Sequence, residues 1–189
     1  LDEWAEHSSA AHMTQHMFMM VIIAPAFALA RPLPQFYRAC GAYGERLWKY
    51  AFKITQYPMV CTYFHGMIIW FWHIPKFYML ALENPWIHVF EHACFLISAV
   101  WFWWACLHAF TRNVPYALLA LLVTLMHTGF LGAFLTFGST PFYGESRNLA
   151  DQQLAGLIMW VVGGVPYITA AFWVGHRWYR QLQRKSLTV

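Results

Sequence analysis

Ten histidines punctuate this chain of 189 residues, and most stand inside or at the rims of long apolar segments. His12 and His16 are four residues apart, as are His88 and His92, and on a helix that spacing puts both rings of a pair on one face. Two such pairs can present four imidazoles to one point. Neutral imidazole ligates copper, zinc, iron and nickel, so metal binding is the first chemistry these residues suggest. Met13 and Met17, with Met19 and Met20 behind them, add thioethers of the kind that favour monovalent copper. Glu91, beside His92, is placed to accept from a ligating imidazole and orient it. His73 joins at the rim of another segment, and His65 and His127 lie deep within two more, so these three form a second tier of candidate ligands. His65 and His127 also open an alternative, because two imidazoles reaching similar depth from different helices are what a bis-histidine haem requires. No nucleophile stands beside a base, no glycine-rich phosphate cradle occurs, and no carboxylates pair at one depth. The chain is therefore read as a binding protein without turnover of its own.

The elements that must hold these residues follow from composition. The chain is 60% hydrophobic and 20% aromatic with only 11% charged residues, far from the roughly 25% charge of a soluble domain. It reads as an all-α, polytopic membrane helical bundle in which residues 1–189 form a single domain. A hydrocarbon core of about 30 Å needs roughly 20 apolar residues per crossing, and five segments qualify: His12–Ala30, Pro58–His73, Trp86–His108, Val114–Phe137 and Gln152–Val174. The second is short and is expected to begin earlier, within Leu47–Tyr57, where aromatic and basic residues interleave as in an interfacial amphipathic helix. Pro25 and Pro166 fall within spans and predict kinks. Tryptophans crowd toward the ends of the spans, as aromatic belts do.

Ten of the twelve Lys and Arg residues fall on one side of this topology, in the loop after the first span, at Arg112 and after the last span. The net charge of +4 is thus a topological signal rather than a nucleic-acid surface. The positive-inside rule places the N-terminus outside and the C-terminus in the cytoplasm. From the outer ends inward, His12 and His88 then lie at the rim, with His7 in the stub able to reach it, and His65 and His127 lie about 12–15 Å deep. His108 and His176 fall at the inner rim, where an imidazole body buries and its polar edge reaches the interface. Ala28-Leu29-Ala30 has the look of a cleavage site, but acids precede the first segment and Arg31 follows it, the reverse of a signal peptide. Of Cys40, Cys61, Cys94 and Cys106, only Cys94 nears the oxidising side, so the cysteines are expected as small buried hydrophobes rather than a disulfide framework. Asp151, with Gln152 and Gln153, opens the last span. There it either caps its own helix N-terminus or closes the histidine site.

Four strings carry a resemblance: HMTQHM (His12–Met17) leading to Ala24-Pro25, WHIPKFY (Trp72–Tyr78), HVFEH (His88–His92) and DQQLAGLIMW (Asp151–Trp160). In this order, and over nearly the whole chain, they are similar to the multi-span CtaG family of bacterial assembly factors for caa(3)-type cytochrome c oxidase. The resemblance implies a multi-pass protein of the bacterial plasma (inner) membrane that is needed to make active haem–copper oxidase and handles copper for it. Its partners would be oxidase subunits or other copper chaperones, besides membrane lipid. Family members usually carry additional spans, often before the HMTQHM-like segment, with which this chain begins.

The residues and the resemblance converge on an assembly factor binding copper at His12, His16, His88 and His92. A haem-binding redox subunit and a structural scaffold of a respiratory oxidase are the alternatives. Topology underlies every depth quoted above. Reporter fusions are expected to place residues after Val189 and within Arg38–Lys53 in the cytoplasm, and Asn84 and Ser146 outside; a cytoplasmic signal at Ser146 would overturn the five-span reading.

Overall fold

A computed structural model describes residues 8–144 and 148–186. His7, expected near the rim, lies outside the described residues. The chain is all-helical, with no strand among the described residues. Helix α1 runs Ser9–Ala30, α2 Leu33–Lys53, α3 Pro58–Trp72, α4 Pro75–Glu83, α5 Pro85–Leu107, α6 Thr111–Thr136 and α7 Leu149–Ser186. Prolines mark the starts: Pro58, Pro75 and Pro85 occupy the first turns of α3, α4 and α5, where a missing N–H costs nothing.

Among the described residues four helices, α1, α5, α6 and α7, are long and apolar enough to cross a membrane. The remaining expected crossing differs. Helix α3 has 15 residues and so extends only about 22 Å. It does not continue from Leu47–Tyr57, because Tyr57 breaks the helix with φ −115° and Pro58 then restarts it. Helix α3 nevertheless packs against both α5 and α6 inside the bundle. Helix α2 is amphipathic and strongly exposed at Tyr43, Leu47 and Tyr50, and it is interrupted at Gly41, whose φ of 60° only glycine adopts easily.

Polarity is arranged inside out. Met67, Phe130 and Phe172 are 63%, 66% and 77% exposed, whereas His12, His16, His65, Glu91, Ser98, Thr124 and Gln152 are buried. That is the arrangement an apolar solvent selects. The helices approach closely where side chains are smallest: a Cβ on Gly156 would lie 2.5 Å from the Gly132 carbonyl oxygen, so only glycine permits this α6–α7 crossing.

The kinks expected at Pro25 and Pro166 take the form of π turns just before each proline, Met19–Ile23 in α1 and Ile158–Val162 in α7. The first has a definite hydrogen-bond consequence. Ala24 N–H donates to Met19 O across the wide turn, and Pro25 has no N–H, so the Met20 carbonyl is left without a helical donor. Trp103 of α5 supplies one: its Nε1–H donates to Met20 O at 2.7 Å in a fully buried position. A proline-induced defect in α1 is thereby converted into a fixed α1–α5 contact one turn of α1 below His16.

Trp103→Phe keeps most of the ring and deletes only this donor. It should cost about 1–3 kcal/mol, the penalty of an unserved buried carbonyl, measured by unfolding of the detergent-purified protein. Gly156→Ala should destabilise as well, while Gly175→Ala, with nothing within 4 Å of the added carbon, should not; wild-type stability of Trp103→Phe would show that the carbonyl is served otherwise.

Candidate metal centre

The two histidine pairs meet. His12 and His16 on α1 have ring centroids 4.2 Å apart, and His88 and His92 on α5 are likewise separated by 4.2 Å. Across the helix boundary, His12 stacks on His88 at 5.2 Å and His16 meets His92 edge-on at 5.0 Å. Each pair reaches the other because i,i+4 spacing stacks side chains on one face, and α1 and α5 turn those faces toward each other.

Glu91 enters this cluster more closely than the sequence suggested. Its Oε2 lies 3.9 Å from Nε2 of His12 and 3.9 Å from Nε2 of His16. One ligand atom each from His12, His16, His88 and Glu91 falls within a sphere of mutual separations no larger than 4.8 Å. Glu91 therefore stands among the candidate donors as well as beside the rings it was expected to orient. The signal was present in the spacing, since Glu91 is three residues after His88 and shares its face. Both ring nitrogens of His16 and Oε2 of Glu91 are buried with no hydrogen-bond partner among the described residues.

His73 sits just after α3, where its Nδ1–H donates to Ile69 O at 2.8 Å and its Nε2 has no hydrogen-bond partner. It is an electrostatic neighbour of His16 but, like His92, stands outside the group of four. His65 and His127 lie apart, at mid-bundle. His65 bonds Ser98 of α5, and the His127 ring packs over Gly66 of α3. The thioethers go elsewhere. Met17 Sδ rests against α7, 2.8 Å from where a Cβ on Gly163 would be, and Met13 occupies the same helical face one turn earlier. The cysteines are free and outside the cluster; Cys61 and Cys106 are buried, Cys94 is partly buried and Cys40 is exposed.

Asp151 serves a helix other than its own. The cap of α7 is Asn148, whose Oδ1 accepts from Ala150 N–H at 2.9 Å. Asp151 instead accepts from Ser8 Oγ at 2.7 Å, Ser9 N–H at 2.5 Å and Ala10 N–H at 3.4 Å, closing the N-terminus of α1. A carboxylate at that end answers the unpaired amides and the positive end of the helix dipole. Gln152 and Gln153 secure the connection before α7: Gln152 Oε1 accepts from Phe142 N–H at 2.7 Å, and Gln153 Nε2 donates to Gly138 O at 3.1 Å. That connection carries Tyr143, which stacks on Tyr78 at 3.9 Å, and Tyr78 in turn meets His12 edge-on at 5.3 Å. Tyr143 OH also donates to His73 O at 3.4 Å, and burial raises its pKa. The DQQ triplet thus holds both the helix that bears the first histidine pair and the aromatic cover above it.

At the opposite end of the bundle, His108 takes no part in the cluster. Arg31 Nε–H donates to its Nε2 at 2.7 Å and Trp104 stacks on its ring. Burial, with Arg31 beside it, holds His108 below the usual imidazole range.

The fold is that of a multi-pass helical membrane protein whose interior gathers three histidines and a carboxylate close enough together to share one ion. The chain belongs to the cytochrome c oxidase caa3 assembly factor family (Caa3_CtaG), whose sequence model matches residues 1–181. Comparison with curated proteins and with solved structures gave no match.

Asp151→Ala should fray the start of α1 and cost about 0.5–2 kcal/mol, the usual effect of losing a cap, while leaving every ligand in place. Thermal unfolding tests this: a variant that melts below wild type is expected, and one as stable as wild type would remove Asp151 from the scaffold.

Proposed function

We propose that this protein supports maturation of haem–copper cytochrome c oxidase by binding copper at His12, His16, His88 and His92 with Glu91, and by passing it to an oxidase subunit or another copper chaperone in the bacterial plasma membrane. The observation that carries this reading is the convergence of His12, His16, His88 and Glu91 within reach of one ion, with the His92 ring against His16, where ring nitrogens of His16 and an oxygen of Glu91 lack other partners. Leaving such groups unserved inside a bundle is costly, and a cation serves them together. Glu91 offsets part of the charge that the ion brings. Imidazole donors fit copper, and the family supplies the client that needs it. On this reading the protein is a binding and delivery factor and catalyses no reaction.

Copper is preferred to haem on the packing of α3. A Cβ on Gly66 would lie 3.0 Å from His127 Nε2, so the His127 ring sits flush on the backbone next to His65 rather than across a slot wide enough for a macrocycle.

Copper titration of the purified protein, paired with oxidase activity in cells, tests the reading. His16→Ala and His92→Ala should each lose most copper bound at this centre and lower oxidase activity, because each removes a donor from a mutually supporting set. Binding should also weaken once the pH is low enough to protonate the imidazoles, since protonated imidazole cannot ligate. Protein that takes up no copper, with histidine variants that still assemble active oxidase, would leave the scaffold reading standing.

A further inference from the structure

A second set of buried polar groups lies at mid-bundle, where α3, α5 and α6 meet. Helix α3 contributes Thr62 and His65, α5 contributes Ser98, and α6 contributes Thr124 and His127. His65, Ser98 and Thr124 have no exposed surface and Thr62 almost none. Ser98 anchors His65 through one ring nitrogen. Ser98 Oγ–H donates to Phe95 O at 3.2 Å, and in the tautomer that complements this bond His65 Nδ1–H donates to the same oxygen at 2.9 Å. Nε2 of His65 is fully buried and without a hydrogen-bond partner, and in that tautomer it carries the lone pair. Both nitrogens of His127 and the hydroxyls of Thr62 and Thr124 are also covered and have no hydrogen-bond partner among the described residues. His127 is an electrostatic neighbour of His65, and its ring touches α3 at the next residue, Gly66.

We infer that His65 and His127 form a second metal station that takes monovalent copper and lies below the His/Glu centre, separated from it by the ring of Phe95. Three features point to this ion. Among the described residues the layer offers neutral nitrogens and hydroxyls with no carboxylate, and the thiol one turn away, Cys61, is turned to Ile54 O at 3.5 Å, so a divalent ion would bring its full charge into the bundle uncompensated. Monovalent copper halves that charge and is satisfied by two nitrogen donors in line, whereas zinc and divalent copper demand four or more. Ser98 holds His65 by the nitrogen opposite the ligating one, as neighbours of metal-bound histidines do. Phe95 marks the boundary: it is fully buried, its ring lies 4.7 Å from His16 and 6.3 Å from His73, and its carbonyl is the acceptor that orients Ser98. The choice of copper rests on the function proposed above; the existence of a second station does not.

Anaerobic Cu(I) titration against a competing chelator, on the full chain in detergent, separates the two. Wild type should bind two ions; His16→Ala/His92→Ala should keep one of them, with the X-ray absorption edge of two-coordinate Cu(I); His65→Ala/His127→Ala should keep the other. Ser98→Ala, which leaves both ligands present, should weaken the mid-bundle ion by about 10- to 100-fold and spare the upper one. A wild type that binds one ion, lost in His16→Ala/His92→Ala, would overturn the second station while leaving the upper centre intact, with ordered water as the filler of the layer. One ion retained in that variant and lost in His65→Ala/His127→Ala would instead overturn the upper centre. Should the mid-bundle double variant fail to fold, wild-type stoichiometry, the His16→Ala/His92→Ala variant and Ser98→Ala still decide the matter.

Discussion

In hydrocarbon there is no water to serve a polar group, so every donor and acceptor inside the spans must be answered by the protein itself. Most of the tertiary contacts described here follow from that constraint. Pro25 removes one N–H from α1, the helix widens by a π turn, and the stranded Met20 carbonyl is served by Trp103 across the interface. The amides that begin α1 are served by Asp151 from α7, at the far end of the sequence. The connection before α7 is served by Gln152 and Gln153. Each contact that settles a local defect also fixes two helices relative to one another. The bundle is thus specified by polar atoms, while its apolar side chains, being equally content against lipid, specify much less.

The histidine centre is the place where the same constraint is met differently. Its position depends on the contacts just named: α1 is held at its start by Asp151 and at its π turn by Trp103, and His12 and His16 lie between those two points. With both ends of that stretch fixed, the face presented to α5 is fixed too. The adjacent face, offset by about 100° per residue, turns Met13 and Met17 toward α7. The same helical periodicity that unites the imidazoles therefore separates them from the thioethers, although the two kinds of residue alternate along the chain.

How much of this was legible in the sequence depends on the range of the interaction involved. Pairings within one helix were readable, because four-residue spacing determines a shared face whatever the surroundings; His12 with His16 and His88 with His92 belong here. So did the apolar runs that became α1, α5, α6 and α7. What one helix does for another was not readable. Nothing in the local pattern around Asp151 says that it closes α1 rather than α7, since Asn148 makes an equally good cap and the choice is settled by packing. Glu91 was visible as a neighbour of the histidines, but its place among the donors depends on α1 crossing α5 at that level. The length of α3 was misread for a related reason: Pro58 and Tyr57 interrupt a run whose composition is continuous, and backbone geometry outranks composition there.

Charge separates the two polar layers more sharply than geometry does. The upper one contains Glu91 and sits within the first two turns of α1 and α5, so an ion there meets an opposite charge and stands a short distance from the bundle's end. The mid-bundle layer has imidazoles and hydroxyls only. Moving a cation from the upper layer to the lower one would give up the carboxylate and increase the depth of apolar surroundings, and both changes are unfavourable. If both layers hold an ion, occupancy must therefore be biased toward the end of the bundle that carries His12 and His88, the end from which an ion can leave without crossing the remaining apolar interior. The placement of one carboxylate would then set a direction for the cargo, with no conformational change needed to impose it.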